Sequence, residues 1–75
     1  MPPTPEHLEL GRMIRTTRRA QGLTQGQLAL RARTGPHAVG AVERGTLTLP
    51  LATLLRIAAV LGLSCQIQLA PALPV

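Results

Sequence analysis

The residues best placed to do chemistry in this chain are cationic, polar or small, and they lie close together. Residues 35–45 read GPHAVGAVERG, with Gly40 and Ala41 between His37 and Arg44, and with Gln25 and Arg33 shortly upstream. Arginine, histidine and glutamine donate hydrogen bonds, and a small face between them lets a large surface come near. That chemistry is the non-covalent capture of an anion. Bond making is not provided for. The single Cys65, the two histidines His7 and His37, and the acids Glu6, Glu9 and Glu43 show no metal-ligand spacing and no nucleophile–base arrangement. The glycines form no phosphate loop following a strand. The sequence therefore predicts no enzyme, no metal and no cofactor, and Cys65 reads as a small core hydrophobe rather than a reactive thiol.

The charge balance points the same way. Eight arginines and no lysine face three glutamates, a net charge of +5 on 75 residues. Such a surplus on a small domain favours a polyanion, either nucleic acid or an acidic membrane surface. No apolar run reaches the ~18 residues of a membrane span, and the opening MPPTPEH is no signal peptide, so a soluble cytoplasmic protein is expected, nucleoid-associated if the polyanion is DNA. A lone cysteine cannot close an intrachain disulfide and suits a reducing compartment. Aromatic residues are absent, so the core must come from Leu, Ile, Val and Ala. A chain this short holds a marginal core, and association with a second copy would help it.

Helix punctuation then locates the elements. Prolines at 2, 3, 5, 71 and 74 confine regular structure to the stretch between two disordered tails, residues 1–4 and 71–75. A first helix runs from about Pro5 to Gln21, stopped by Gly22. Thr24-Gln25-Gly26-Gln27 has capping-box spacing and opens a short second helix to about Ala32, burying Leu28, Ala29 and Ala32. Gly35 suits an N-cap because it precedes proline, and Pro36 suits the first helical position, so a third helix covers about Pro36 to Arg44 and stops at Gly45. Pro50 opens a fourth, Leu51 to Leu61, stopped by Gly62 and rich in Leu54, Leu55, Ile57 and Ala58. After it the period changes. Cys65, Ile67 and Leu69 alternate with Ser64, Gln66 and Gln68, the pattern of a half-buried strand over residues 64–70.

Helical wheels assign the faces. On the first helix Leu10, Met13, Ile14 and Thr17 share one sector, expected to face the core, and Arg12, Arg15, Arg18 and Arg19 share another. On the third, Val39, Val42 and Ala38 face the core, while His37, Gly40, Ala41 and Arg44 point outward. A glycine inside a helix costs about 1 kcal/mol relative to alanine, so Gly40 implies that something approaches this face closely. Two short helices joined by a tight turn, the second exposing a small and cationic face, make a helix-turn-helix fit for a DNA major groove. Glu43, at a helix C-terminus where the dipole disfavours an anion, calls for a cation, and Arg18 is the candidate.

These residues also carry a resemblance. LTQGQLALRARTGPHAVGAVERG followed by LATLLRIAAVLGL is similar to the Cro/C1-type helix-turn-helix family, also called the XRE family, over about Leu10 to Leu63. The shared elements are Leu23-Thr24-Gln25, Leu28-Ala29, Val39, Val42-Glu43, Gly45 and the run through Leu54, Leu55, Ile57 and Ala58, and GPHAVGA resembles the recognition helix of lambda repressor. The resemblance implies an all-α, lambda repressor-like domain over residues 5–63, with double-stranded DNA as partner. It implies that Gln25 touches phosphate and braces the third helix, that Pro36, His37, Gly40 and Ala41 lie at base-contacting positions, and that Arg44 binds phosphate. It also implies that Arg18 and Glu43 pair. The sequence departs from the family twice. Arg33 stands where the turn usually has glycine and a positive φ is often needed, so a strained or differently shaped turn is expected there, with Arg33 or Arg44 as auxiliary DNA contacts. Pro36 cannot read a base by hydrogen bonding, so specificity is expected to rest substantially on phosphate register and DNA shape.

A lone strand cannot satisfy its own backbone donors and acceptors. The economical partner is the same strand of a second copy, antiparallel across a twofold axis, with Cys65, Ile67 and Leu69 of both chains roofing the core. A homodimer would set two half-sites of a palindromic operator about one helical turn, or a multiple, apart. The alternative is an extended tail packed on its own domain. A recognition-helix domain ending in such a strand resembles the HipB-like antitoxins, which implies an autoregulating repressor that also neutralises a HipA-like kinase toxin. Two other readings remain open: a stand-alone phage-type or host regulator, and an interaction subunit that uses the helix-turn-helix only as a scaffold.

Overall fold

The computed structural model describes residues 4–46 and 49–64, and over these it is built of four helices: α1 Pro5–Ala20, α2 Gln25–Arg31, α3 Pro36–Glu43 and α4 Leu51–Leu61. The start signals act as the sequence suggests. Thr24 accepts from the Gln27 amide at 3.0 Å while the Gln27 side chain accepts from the Thr24 amide at 2.9 Å, a complete capping box. Gly35 is the N-cap of α3 with Pro36 at its first position, and Pro50 is the N-cap of α4. Thr4 is not tail. Its side chain accepts from the His7 amide at 3.2 Å and caps α1.

All four helices end the same way. At the end of each stands a left-handed residue, and the paired bonds of a Schellman motif close the last turn. At α1 these are Gly22 to Arg19 and Leu23 to Arg18, at α3 Gly45 to Val42 and Thr46 to Ala41, at α4 Gly62 to Ala59 and Leu63 to Ala58. Glycine fills the left-handed position in those three, with φ of 71°, 75° and 72°. At α2 the same motif, Arg33 to Leu30 and Thr34 to Ala29, is built on Arg33 with φ 56°.

The core is Ile14 of α1, Leu28 and Ala29 of α2, Ala32 of the turn, Val39 and Val42 of α3, and Ile57 and Leu61 of α4. Each helix gives it one apolar stripe, and α2 and α3 pack together with α1 and α4 across them. The apolar face of α1 differs from the wheel. Leu10 and Met13 are 38% and 50% exposed. The buried face of α1 is instead Gly11, Ile14 and Arg18. The reason is backbone contact: a Cβ on Gly11 would lie 2.3 Å from the Val42 carbonyl oxygen and 2.6 Å from that of Glu43. α1 rests on the end of α3 through a glycine, and this turns Leu10 and Met13 toward an open apolar groove of about 180 Å³ that they share with Leu51, Leu54, Ala58 and Leu63.

The expected strand over 64–70, with Cys65, Ile67 and Leu69, lies outside the described residues apart from Ser64, which has no regular structure. Among the described residues no strand occurs.

The glycine contact gives a direct check. Gly11→Ala should destabilise the fold by about 2 kcal/mol, because the added methyl meets backbone that cannot rotate away. Gly26→Ala, whose nearest neighbour is a side-chain oxygen 3.9 Å away, is the control and should be neutral or stabilising in the same urea titration.

Candidate nucleic-acid interface

The turn between α2 and α3, and α3 itself, carry most of the residues singled out by sequence. Pro36 and His37 lie exposed in the first turn of α3, Arg33 is exposed in the turn before it, and Arg44 is exposed just after it. Ala41 and Gln25 are half-buried beside them. The face therefore has His37 at one end, Arg44 at the other and little side-chain bulk between. Gly40 is the exception: the wheel turns it outward, but it is buried. A Cβ there would lie 3.2 Å from Arg44 Nη1 and 3.4 Å from Gln25 Oε1, so these two side chains cover it.

Behind this face the structure joins Arg18 to Glu43 in a two-bond ion pair. Arg18 Nε donates to Glu43 Oε2 at 2.6 Å and Nη2 donates to Oε1 at 3.0 Å, with both residues buried. Arg18 Nη1 donates to the Leu23 carbonyl at 2.8 Å, and Gln25 Nε2 donates to Glu43 Oε1 at 3.1 Å. One carboxylate thus ties α1, the start of α2 and the end of α3. Burial works against the charge of Glu43, but the hydrogen bonds from Arg18 and Gln25 and the charges of Arg18 and Arg15 outweigh it, and its carboxyl stays below the usual carboxylate range. The hydrogen bond with Glu43 raises Arg18 above the usual guanidinium value, against the effect of burial.

Two further polar ties, neither expected from sequence, hold the frame. Arg56 of α4 donates from Nε to the Ala32 carbonyl at 2.9 Å, satisfying a free carbonyl at the end of α2 where the turn begins. Gln21 donates from Nε2 to the Leu61 carbonyl at 2.7 Å, joining the ends of α1 and α4. Both target main-chain oxygens far away in sequence.

The assembly can bind an anion and hold it in register. Exposed arginines at 33 and 44 flank a helix with little side-chain bulk, and its reading residues are few: His37 is the polar side chain exposed on α3 itself, with Thr34 half-buried in the turn. Comparison with known proteins places the arrangement. Residues 9–70 match the helix-turn-helix domain family. The restriction-modification controller protein C.AhdI from Aeromonas hydrophila superposes with a TM-score of 0.77 at 31% identity, covering 81% of this chain and 92% of that one. The clp gene regulator ClgR from C. glutamicum superposes at 0.76 with 28% identity, covering 84% and 81%. A second structure of ClgR from Corynebacterium glutamicum gives the same score and identity over 84% and 67%. No curated protein matches the chain.

Two variants test the frame. Arg18→Ala should cost about 3 kcal/mol at neutral pH by leaving Glu43 buried and unpaired. The sign with pH follows from the lowered carboxyl. Its contribution is full above the unfolded value of about 4.3 and is lost as pH falls through the lower folded value, so the gap between variant and parent should narrow in acid. Arg33→Gly should act oppositely and raise stability by about 1 kcal/mol, since glycine takes the left-handed conformation without strain. Denaturant titrations at several pH values read both.

Proposed function

The chain belongs to the helix-turn-helix domain family as an XRE-type DNA-binding transcription regulator, and from that premise we propose that it is a sequence-specific repressor acting as a homodimer on a palindromic operator. The observation that carries the reading is the face of α3, capped at its start by Gly35 and Pro36, small along its length, and ended by an exposed arginine. A helix of that shape enters a major groove with its first turn toward base edges. His37 reads a base, with Ala41 in apolar contact behind it. Pro36 contributes shape alone, and the backbone contacts come from Gln25, Arg33 and Arg44. Phosphate register and DNA deformability then supply much of the selectivity. Arg33 fits this account as a residue kept in a strained conformation for its charge.

The dimer is part of the proposal. Residues 64–70 of two copies pair antiparallel and set Cys65, Ile67 and Leu69 over the apolar groove of Leu10, Met13, Leu51 and Leu63. Three observations support it. The chain reaches Ser64 at the rim of that groove, the groove leaves exposed apolar surface, and the family match runs on to residue 70. The narrower role of antitoxin to a HipA-like kinase toxin is supported by the strand pattern alone. The similar solved structures are a restriction-modification controller and a clp gene regulator, which favours the stand-alone regulator. Purification from a strain carrying the neighbouring genes separates the two, since an antitoxin brings a kinase with it.

Nuclease footprinting on the DNA upstream of its own gene, at two salt concentrations, tests the main reading. Two symmetric protected half-sites are expected, with affinity falling steeply in salt. Arg44→Ala should weaken binding to all sequences and lower the salt slope by about 1. Equal weak binding to any duplex, or none, would reduce the helix-turn-helix to a scaffold for a protein partner.

A further inference from the structure

Gly40 sits inside α3 without the usual reason for glycine. Its φ is not among the positive values that three other glycines adopt, so its backbone accepts any residue, and helix propensity favours alanine there. Nor is it an open gap on the face, since it is buried. What lies over it is specific: the end of Arg44, 3.2 Å from where a Cβ would be, and the carboxamide of Gln25, with Oε1 at 3.4 Å and Nε2 at 3.5 Å. Both are side chains with free donors beside the DNA-facing surface.

Gln25 is also fixed in orientation. Its Nε2 donates to Glu43 Oε1 at 3.1 Å, and the opposite assignment would set two acceptor oxygens together. One N–H of the amide therefore points into the domain and the other is left for a ligand, while Oε1 lies over Gly40. Glu43 is held in turn by Arg18. An ordered series runs from the buried ion pair through Gln25 to the helix surface, and the absent side chain at 40 leaves the space over which the ends of Gln25 and Arg44 both lie.

We propose that Gly40 is a positioning residue: its missing side chain seats Gln25 and Arg44 side by side as a two-residue clamp for a DNA backbone phosphate, with Glu43 holding the Gln25 amide in place. This rests on the DNA-binding reading above and replaces the base-contacting role that sequence assigned to Gly40. A phosphate between the two receives a charged fork from Arg44 and a neutral N–H from Gln25, a stronger arrangement than either side chain wandering alone. Alanine at 40 presses on the flexible ends of both side chains and on no backbone, so the fold tolerates it while the clamp does not.

Gly40→Ala, tested on a short duplex of arbitrary sequence, gives the readout, because a phosphate clamp acts on any DNA. The expected result is a denaturation midpoint equal to or above the parent's, affinity about five- to tenfold weaker, and a salt slope shallower by about 1. In a Gln25→Ala/Arg44→Ala background the same change should have no further effect. Parent-like affinity and slope overturn the proposal and leave the DNA-binding reading intact. A loss that persists in the double background also overturns it, since the methyl then collides with DNA itself. No salt-dependent binding by the parent protein overturns both. Should Gly40→Ala fail to fold, the Gln25→Ala and Arg44→Ala cycle with Gly40 present decides. Losses less than additive mark a joint clamp, and additive losses refute it.

Discussion

The carboxylate of Glu43 is where the architecture converges. It sits at the end of α3, in the place where the helix dipole disfavours a negative charge, and it is buried. Unpaired, it would be among the costliest groups in the domain. Arg18 from α1 and Gln25 from α2 neutralise and orient it, and Arg18 also closes the α1–α2 turn through the Leu23 carbonyl. With so small an aliphatic core, hydrophobic contact alone fixes the angles between helices loosely. The directional bonds to this carboxylate set α3 against the other two with the accuracy that recognition requires.

The same region concentrates the features that a stability-optimised sequence would avoid. Arg33 holds the left-handed place that glycine holds at the three other helix ends, and Gly40 weakens a short helix. Both lie on or beside the surface assigned to DNA. That distribution is expected where local preference yields to function. The remaining helix ends are conventional, and they carry the frame on which the exceptions rest.

Much of the fold was legible because Gly, Pro and Thr mark helix ends through strictly local geometry. Thr24, Gly22, Pro36, Gly45, Pro50 and Gly62 each place a boundary, and the apolar periods of α2 and α3 place Leu28, Val39 and Val42 in the core. Of the site, Arg18 and Glu43 were visible as a charge in need of a partner. The errors share one origin. A helical wheel weighs side chains by polarity, so it sent Leu10 and Met13 inward and missed Gly11, where contact is made by backbone. It turned Gly40 outward without knowing that Gln25 and Arg44 fold over it. Arg56 and Gln21 were opaque for another reason: their partners are carbonyl oxygens of Ala32 and Leu61, and a main-chain acceptor leaves no mark in sequence.

Where DNA touches the protein decides the role of α3. Titrating the labelled chain with duplex DNA and following each backbone amide by NMR locates the contact directly. Recognition through α3 predicts shifts concentrated at Gln25, at the turn through Arg33, along α3 and at Arg44, fading as salt is raised. Shifts centred instead on Leu10, Met13, Leu51 and Leu63 would contradict it, because they would place the binding surface on the far groove and leave α3 with no part in recognition.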